Sequence, residues 1–191
     1  MGEWKVLEAE LKASLRGLEP ETVRARAEAL GFCPVRTLRE TDTYYQGVDR
    51  DFRQTDEALR LRRCRLLPDG PEENLLTYKG PKLDAVSSAR MEYETAVDDS
   101  EAAHSILEAL GHSPAFTVDK VRQEYRLEDV TLCLDEVTGL GSFLELETLT
   151  PNETARAAAV DRLLEMLDRL GIARMRLTRR SYLELLAVGV G

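Results

Sequence analysis

Charged and apolar residues alternate in a short stretch near the start of the sequence, LEAELKA at residues 7–13. Glu8, Glu10 and Lys12 are spaced two residues apart, with leucine and alanine between them. In a β-strand this spacing places two carboxylates and one ammonium group on the same face. Carboxylate oxygens suit hard divalent cations, and basic side chains suit oxyanions. The stretch therefore predicts either a solvated strand face or a face that binds a metal ion and an anion.

The same alternation returns in later segments, where the charges are arranged by sign. Six further cations follow it: Arg60, Arg62, Lys79, Arg90, Lys120 and Arg122. Six further acids do so: Glu92, Glu94, Glu124, Asp135, Glu145 and Glu147. For any single strand a solvated outer face is the simpler interpretation. Lysine and glutamate are disfavoured in strands, however, so their recurrence on one face of successive strands favours a shared charged surface.

Segments with a period of two residues are predicted to be strands. There are eight of them: 4–13, 35–46, 58–66, 74–80, 89–97, 117–127, 130–137 and 142–149. Turn-forming residues join two pairs of strands, in LPDGPEEN at 67–74 and in TGLGS at 138–142. The stretch 80–89 is predicted to be a mobile loop.

Other segments have the period of an amphipathic helix. They are 18–31, 98–111, 150–171 and a shorter one at 181–187. A glycine ends each of the first three, which is a common helix stop. Thr150, Pro151 and Glu153 predict a capping box at the start of the third helix.

If the apolar strand faces pack outward against these helices, the charged faces converge inside. The simplest such architecture is an α+β fold: an eight-stranded antiparallel β-barrel, closed or nearly closed, with a polar lumen and three to four flanking helices. No linker divides the chain, so residues 1–191 are predicted to form one domain. Because desolvated ions are unfavourable, the lumen must be wet, internally paired or filled. Cations and acids together fit a polyphosphate with its divalent metal.

The composition limits the classes of partner. With 191 residues, 43% of them apolar and 32% charged, the chain has the profile of a soluble globular protein. The net charge of −9 disfavours a nucleic-acid polymer as partner. No apolar run approaches the ~20 residues of a membrane helix. Cys33, Cys64 and Cys133 lack metal-site spacing and are predicted to be buried thiols in a cytoplasmic protein.

These motifs together resemble those of the CYTH superfamily, also called the triphosphate tunnel metalloenzymes. EAELK matches the E-x-E-x-K signature of that family. LRLRR, LTYKGP, RMEYE, VDKVRQEY, LCLDEVTGLGSFLELE and SYLELL follow in family order and extend the resemblance over nearly the whole chain. The signature alone is a weak indication, whereas the ordered set is a strong one.

The resemblance implies an eight-stranded tunnel, dependence on Mg²⁺ or Mn²⁺, and a substrate that contains a triphosphate. It implies five metal ligands: Glu8, Glu10, Asp135, Glu145 and Glu147. It implies seven phosphate-binding residues: Lys12, Arg60, Arg62, Lys79, Arg90, Lys120 and Arg122. Catalytic roles fall to Lys12, Arg62 and Asp135, the last as a ligand or as the base for the attacking oxygen. Glu92 and Glu94 would assist a second metal ion or orient the arginines.

Within the superfamily the sequence most resembles the class IV, or CyaB-type, adenylate cyclases, through TDEALRLRR, YKGPK and CLDEVTGLGSFLELE. That resemblance implies conversion of ATP to cyclic AMP and pyrophosphate. The first alternative is hydrolysis of inorganic triphosphate, thiamine triphosphate or a nucleoside triphosphate. The second alternative is a non-catalytic polyphosphate sensor. The five acids disfavour it, because anion binding alone needs only cations. The P-loop motif is absent from the sequence, and the apolar outer faces allow a homodimer.

Two histidines and three aromatic residues have structural interpretations. His104 and His112 are predicted to be surface residues. Trp4, Tyr44 and Tyr45 are predicted to pack at the rim of the tunnel, in preference to stacking on a nucleobase.

Overall fold

Eight antiparallel strands close into a barrel in the computed structural model, which describes residues 6–82 and 90–189. The strands are β1 (Val6–Ser14), β2 (Cys33–Tyr45), β3 (Ala58–Leu66), β4 (Glu72–Lys79), β5 (Arg90–Ala96), β6 (Pro114–Leu127), β7 (Val130–Val137) and β8 (Gly141–Thr150). Around the barrel they follow the order β1, β5, β4, β3, β2, β6, β7, β8, and β8 pairs with β1. The predicted α+β barrel is therefore confirmed.

All eight predicted strands are present, and the differences lie at their ends. β3 and β7 begin and end at the predicted residues. β2 and β6 begin earlier than predicted, because they pair with each other from Cys33 through Tyr45, with irregularities near both ends. Backbone pairing with a neighbour sets the length of a strand, whereas the alternation of side chains shows only its middle. Trp4 and most of the predicted loop at 80–89 lie outside the described residues.

The four predicted helices are present on the described part of the chain. They are α1 (Pro20–Ala29), α2 (Ser100–Ala109), α3 (Glu153–Arg169) and α4 (Tyr182–Gly189), and a short 3-10 helix spans Arg174–Arg176. Asp99 caps α2 by accepting two backbone N–H groups. The predicted capping box of α3 is wrong, because Thr150 is the last residue of β8 and Asn152 accepts the N–H of Ala155 instead. The end of β8 thus decides which favoured residue becomes the cap.

The apolar core lies between the outer face of the barrel and the helices. Leu163 and Leu167 of α3 are fully buried in one cluster with Leu11, Leu132 and Leu146 of the strands. Each such leucine contributes about 1.5–3 kcal/mol through burial. Smaller clusters form beneath α2 and α4. Because the apolar faces are used outside, the charged faces of the same strands are left to line the lumen.

The cysteines are free, and two of the three match the expectation. Cys64 and Cys133 are buried, as predicted. Cys33 is exposed, so the predicted buried thiol is wrong there; it is the first residue of β2, at the end of the barrel. Within residues 6–82 and 90–189, no helix has the length and apolar character needed to span a membrane.

Candidate functional site

Alternate strand residues place their charged side chains in one central cavity of about 630 Å³. Eleven of the residues assigned from the sequence line it: Glu8, Glu10, Lys12, Arg60, Arg62, Lys79, Arg90, Lys120, Arg122, Glu145 and Glu147. The remaining one, Asp135, accepts hydrogen bonds from Lys120 and Arg122. The structure therefore brings together every residue that the sequence assigned to the site.

Arg62 on β3 is held by two acids on β2. Its Nε and Nη2 donate to Asp42 at 2.6 and 2.8 Å, and its Nη1 donates to Glu40 at 3.0 Å. All three side chains are buried. Burial would raise the pKa of Glu40, but the charges of Lys120 and Arg62 outweigh it and lower that pKa to about 2. The acids keep Arg62 in one position, which suits recognition of an anion.

Asp135 on β7 organises the cations of β6. It accepts two hydrogen bonds from Arg122, from Nε at 2.7 Å and from Nη2 at 2.6 Å, and one from Lys120 Nζ at 3.3 Å. Arg122 also donates to Glu145, and Lys120 lies 3.0 Å from Glu40. Arg122 and Asp135 stand directly opposite each other across β6 and β7. Their register therefore places these side chains in contact on the same face.

Tyr182, at the start of α4, enters the same cluster from outside the barrel strands. Its hydroxyl donates to Asp135 at 2.8 Å. The ammonium groups of Lys12 and Lys120 lie over its ring, 4.5 and 5.2 Å from the ring centroid. Phe143 meets the ring edge-on at 5.1 Å. Burial raises the pKa of Tyr182 well above its usual range, so the hydroxyl stays protonated and acts as a donor.

Arg60 is less completely paired than Arg62, although both are buried on β3. Its Nη2 donates to Thr77 at 3.1 Å, while Asp42 and Glu94 are each 3.6 Å away. Within the described residues its Nε has no hydrogen-bond partner. A buried donor without an acceptor costs about 1–3 kcal/mol. Arg60 is thus a buried cation with an unused donor, and a hydrogen bond to that donor would increase the affinity for an anionic ligand.

Lys79 and Arg90 lie near one end of the cavity, at the junction of β4 and β5. Lys79 pairs with Glu92, which stands opposite it in register. Arg90 donates to the backbone carbonyl of Gly80 at 3.2 Å and lies 3.7 Å from Asp56. Glu92 therefore orients a cation in this structure, and its assistance to a second metal ion stays a prediction.

Three carboxylates at the junction of β1 and β8 are less completely paired, and we call them the acidic seam: Glu8, Glu10 and Glu147. Glu10 stands opposite Glu147 and lies 3.3 Å from Lys12. Within the described residues, Glu8 and Glu147 have no hydrogen bond or ion pair. Burial raises the pKa of Glu147 to about 7. Burial, followed by the charge of Glu147, raises the pKa of Glu8 well above its usual range.

The donor chemistry of the acidic seam fits a hard divalent cation. Carboxylate oxygens are the ligands that Mg²⁺ and Mn²⁺ prefer. A divalent ion would offset the burial and the carboxylate repulsion that together raise the pKa values of Glu8 and Glu147. In the described part of the chain, no group of three or more His, Cys, Asp or Glu side chains is already arranged to hold an ion. The seam therefore supplies suitable ligands, which must adjust or bind through water.

Sequence reasoning missed three side chains of the lumen: Glu40, Asp42 and Tyr182. The segment TLRETDTYY at 37–45 shows the same alternation as the other strands, with Glu40 and Asp42 two residues apart. That signal was sufficient to identify both acids. Tyr182 lies in the SYLELL motif, but it contacts a carboxylate 47 residues earlier in the chain. No local pattern predicts such a contact.

The histidines and tyrosines lie around the tunnel. Tyr45 and Tyr44 are buried within apolar clusters and also line the cavity, so they pack as predicted, whereas their position at the rim stays a prediction. The hydroxyl of Tyr45 shares a hydrogen bond of 2.7 Å with Nδ1 of His104. His112 Nδ1 lies 2.9 Å from the carbonyl oxygen of Gln46. Both histidines are half-buried, so their predicted surface position is only partly right.

A closed eight-stranded barrel whose lumen holds buried cations and carboxylates defines a tunnel protein of the α+β class. Within that class the chain belongs to the CYTH family, since a CYTH domain matches residues 7–182.

The descriptions of similar proteins mention two different activities. MJ0240 of Methanocaldococcus jannaschii, provisionally named an adenylate cyclase, is 36% identical over 180 residues, which cover 94% of this chain and 98% of that protein. PH1819 of Pyrococcus horikoshii has a TM-score of 0.87 and 39% identity, over 95% of this chain and 99% of that one. HpAC1 of Hippeastrum, described as a provisional adenylyl cyclase with a dominant triphosphatase activity, has a TM-score of 0.65 over 96% of each chain. At 19% identity it shows the shared fold alone.

Proposed function

We propose that this chain is a divalent-metal-dependent enzyme that binds a triphosphate compound in its tunnel and cleaves one phosphorus–oxygen bond. One observation carries the proposal: buried cations and an incompletely paired acidic seam share a single cavity. A polyphosphate sensor needs the cations alone, because they neutralise the ligand. The carboxylates add ligands for the metal ion that phosphoryl transfer uses.

Seven cations would hold the phosphate chain: Lys12, Arg60, Arg62, Lys79, Arg90, Lys120 and Arg122. Arg62 and Arg122 are prepared for this role, because each is already fixed by two hydrogen bonds to an aspartate. Little side-chain freedom is then lost when an anion binds. We assign Arg60 a direct phosphate contact, since its Nε is buried without an acceptor. A charge-assisted hydrogen bond contributes about 1.5–3 kcal/mol.

The acidic seam would hold the Mg²⁺ or Mn²⁺ ion. Such an ion, when bound, would supply Lewis-acid stabilisation of the negative charge on the phosphates. Glu145 lies 3.1 Å from Lys12 and also accepts from Arg122. Asp135 accepts four hydrogen bonds, so we propose that it orients the side chains that donate them. Metal ligation by Glu145 or Asp135, and the role of Asp135 as a base, stay predictions.

The first reaction we propose is the conversion of ATP to cyclic AMP. The ribose 3′ oxygen would attack the α-phosphorus and lose its proton to Asp135, the predicted base, or to solvent, while pyrophosphate would leave with the electron pair of the broken bond. Lys12 and Arg62 would stabilise the charge that develops on pyrophosphate. A cavity of about 630 Å³ has room for an organic group beside a triphosphate, and MJ0240 is named for this reaction.

Hydrolysis of a triphosphate is the second candidate. Water would replace the ribose oxygen as nucleophile, attack the terminal phosphorus and lose a proton to the predicted base or to solvent. Orthophosphate would form, and the diphosphate part of the substrate would leave with the electron pair of the broken bond. HpAC1, which has the same fold, is described as having a dominant triphosphatase activity. The phosphate-binding cations serve either reaction, so the choice depends on which phosphorus atom faces the nucleophile.

A substrate panel on the purified protein tests the proposal. ATP, inorganic triphosphate and thiamine triphosphate would each be offered with Mg²⁺, with Mn²⁺ and with a chelator, and the products separated by chromatography. Cyclic AMP with pyrophosphate would support the cyclase. Orthophosphate without a cyclic product would support the hydrolase and overturn the cyclase.

A site variant purified in parallel guards against a contaminating enzyme. Lys120 is buried in the tunnel and pairs with two acids, so Lys120→Met should lose the activity under identical conditions. If the protein bound triphosphate but turned over none of the substrates at any metal concentration, the proposed enzymatic activity would be overturned. The polyphosphate sensor would then be the remaining function.

A further inference from the structure

Tyr182 contacts three members of the charged network at once, although it belongs to none of the strands. Its hydroxyl donates to Asp135 at 2.8 Å. Its ring lies under the ammonium groups of Lys12 and Lys120, at 4.5 and 5.2 Å. The residue is only 5% exposed. The ring is therefore a shared surface for two cations that come from β1 and β6.

The two lysines need such a support more than the arginines do. Arg62 and Arg122 are each fixed by paired hydrogen bonds to one carboxylate. A lysine ammonium group is a point charge on a flexible stem and has no such fork geometry. Lys120 lies between carboxylates of two residues, at 3.0 and 3.3 Å, and Lys12 likewise at 3.1 and 3.3 Å. An aromatic face attracts a cation and restricts it to one side.

We propose that Tyr182 is a positioning residue, whose ring fixes Lys12 and Lys120 and whose hydroxyl fixes Asp135, so that docking of α4 completes the phosphate-binding surface. The inference rests on the proposed function, because it gives the two lysines their role toward a triphosphate. It extends that function to an element outside the barrel.

Two substitutions separate the ring from the hydroxyl. Tyr182→Leu removes both, and the dissociation constant for inorganic triphosphate should rise about tenfold as the lysines become mobile. Tyr182→Phe retains the ring, so the dissociation constant should rise at most about threefold. Isothermal titration calorimetry with inorganic triphosphate measures both values without turnover when Mg²⁺ is omitted.

Leu186→Ala provides the matched control for packing. Leu186 belongs to α4 and packs over the β7–β8 turn at Gly139, away from the cavity lining. It should lower the melting temperature through weaker docking of α4 and leave the affinity for triphosphate unchanged. A loss of affinity in Leu186→Ala equal to that in Tyr182→Leu would show that general packing is responsible, and would overturn the positioning role.

Nuclear magnetic resonance of ¹³C-labelled lysine provides a readout that needs no ligand. Ring currents should shift the Cε signals of Lys12 and Lys120 in the unsubstituted protein and in Tyr182→Phe, but not in Tyr182→Leu. Unshifted signals in the unsubstituted protein, or an unchanged affinity in Tyr182→Leu, would overturn the inference while the proposed function stands. If the unsubstituted protein did not bind triphosphate, the proposed function and this role would both be overturned.

Discussion

At the scale of the residue, the tunnel contains charges that are fixed by partners and charges that are left for a ligand. Arg62 is held by Asp42 and Glu40, whereas Arg60 keeps a buried Nε without an acceptor. Among the acids, Glu147 has no cationic partner within the described residues. Removing one member of a buried pair leaves an uncompensated charge, which costs about 3–5 kcal/mol. The loosely paired residues are therefore the better probes of function.

Arg60→Gln should weaken binding of inorganic triphosphate about 10–100-fold, because charge-assisted hydrogen bonds to phosphate are lost. Folding should be retained, since Asp42 keeps its two hydrogen bonds to Arg62. Calorimetric titration measures the affinity. Arg63→Gln is the control: its side chain is 50% exposed on the same strand and should leave affinity unchanged. Wild-type affinity in Arg60→Gln would contradict the assignment.

Glu147→Gln should stabilise the fold and weaken metal binding. The carboxyl is buried with a pKa of about 7, so neutralising it should raise the free energy of unfolding by about 1–3 kcal/mol at pH 8 in chelator. The Mg²⁺ concentration for half-maximal activity should rise about tenfold. Chemical denaturation and metal titration measure the two effects. Glu165→Gln, on the exposed face of α3, should produce neither, and an unchanged metal requirement in Glu147→Gln would exclude Glu147 as a ligand.

Acid should destabilise the protein through Glu40. Its pKa is lowered to about 2 in the folded state, against about 4.3 for an unfolded glutamate. Because the folded value is lower, the stabilisation is present above about pH 4.3 and is lost as pH falls toward 2, by up to about 3 kcal/mol. Urea denaturation between pH 5 and pH 2 should show this slope, and Glu40→Gln should reduce it. Glu165→Gln should keep the wild-type slope; an equal slope in Glu40→Gln would contradict the linkage.

At the scale of the element, the strands carry the site and the helices keep it in register. Most strands contribute charged residues to the lumen and apolar residues to the core. α3 covers β1 and β8, the two strands that carry the acidic seam. Its start is set by Asn152 and not by Thr150, which still pairs with β1. Stability of α3 is therefore separable from the chemistry of the lumen.

Asn152→Ala should lower the free energy of unfolding by about 1 kcal/mol, because the N–H of Ala155 loses its acceptor. Asn152→Gly should cost only a few tenths of that amount, since glycine is itself tolerated as a cap. Urea denaturation distinguishes the two variants, and triphosphate affinity should be unchanged in both. Equal stability of all three proteins would show that this cap contributes nothing.

At the scale of the whole molecule, cations and carboxylates are both gathered in one cavity, although the chain as a whole is acidic. The chain has a net charge of −9, yet all seven of the proposed phosphate-binding cations line its cavity. An acidic exterior repels nucleic-acid polymers, whereas a small anion that enters the tunnel meets buried cations. The enclosed site thus selects its ligand by size as well as by charge.

Inorganic triphosphate should raise the melting temperature by about 5–10 °C at a hundredfold excess over its dissociation constant, where ligand binding stabilises by about 2.7 kcal/mol. Thermal unfolding followed by circular dichroism measures the shift. Orthophosphate and a single-stranded oligonucleotide, at equal phosphate concentration, are the controls and should shift it little. An equal shift with the oligonucleotide would contradict the enclosed anion site.

The sequence by itself determined which residues lie in the barrel strands and which of their faces is charged. β3 and β7 match their predicted bounds because alternation persists to their ends. The twelve residues assigned to the site lie together because a period of two residues places them on the charged faces of their strands, and that period is a local property of the chain. Glu40 and Asp42 on β2 show the same alternation and are predictable on the same ground.

The tertiary structure alone decided which charges neutralise one another and which are left free. Asp135 meets Arg122 because β7 pairs with β6, and it meets Tyr182 because α4 docks on the barrel. Glu10 faces Glu147 because β8 closes onto β1. These contacts join residues distant in the chain, and closing the barrel fixes them all together. The unpaired Nε of Arg60 and the acidic seam follow from that closure, and they carry the proposed chemistry.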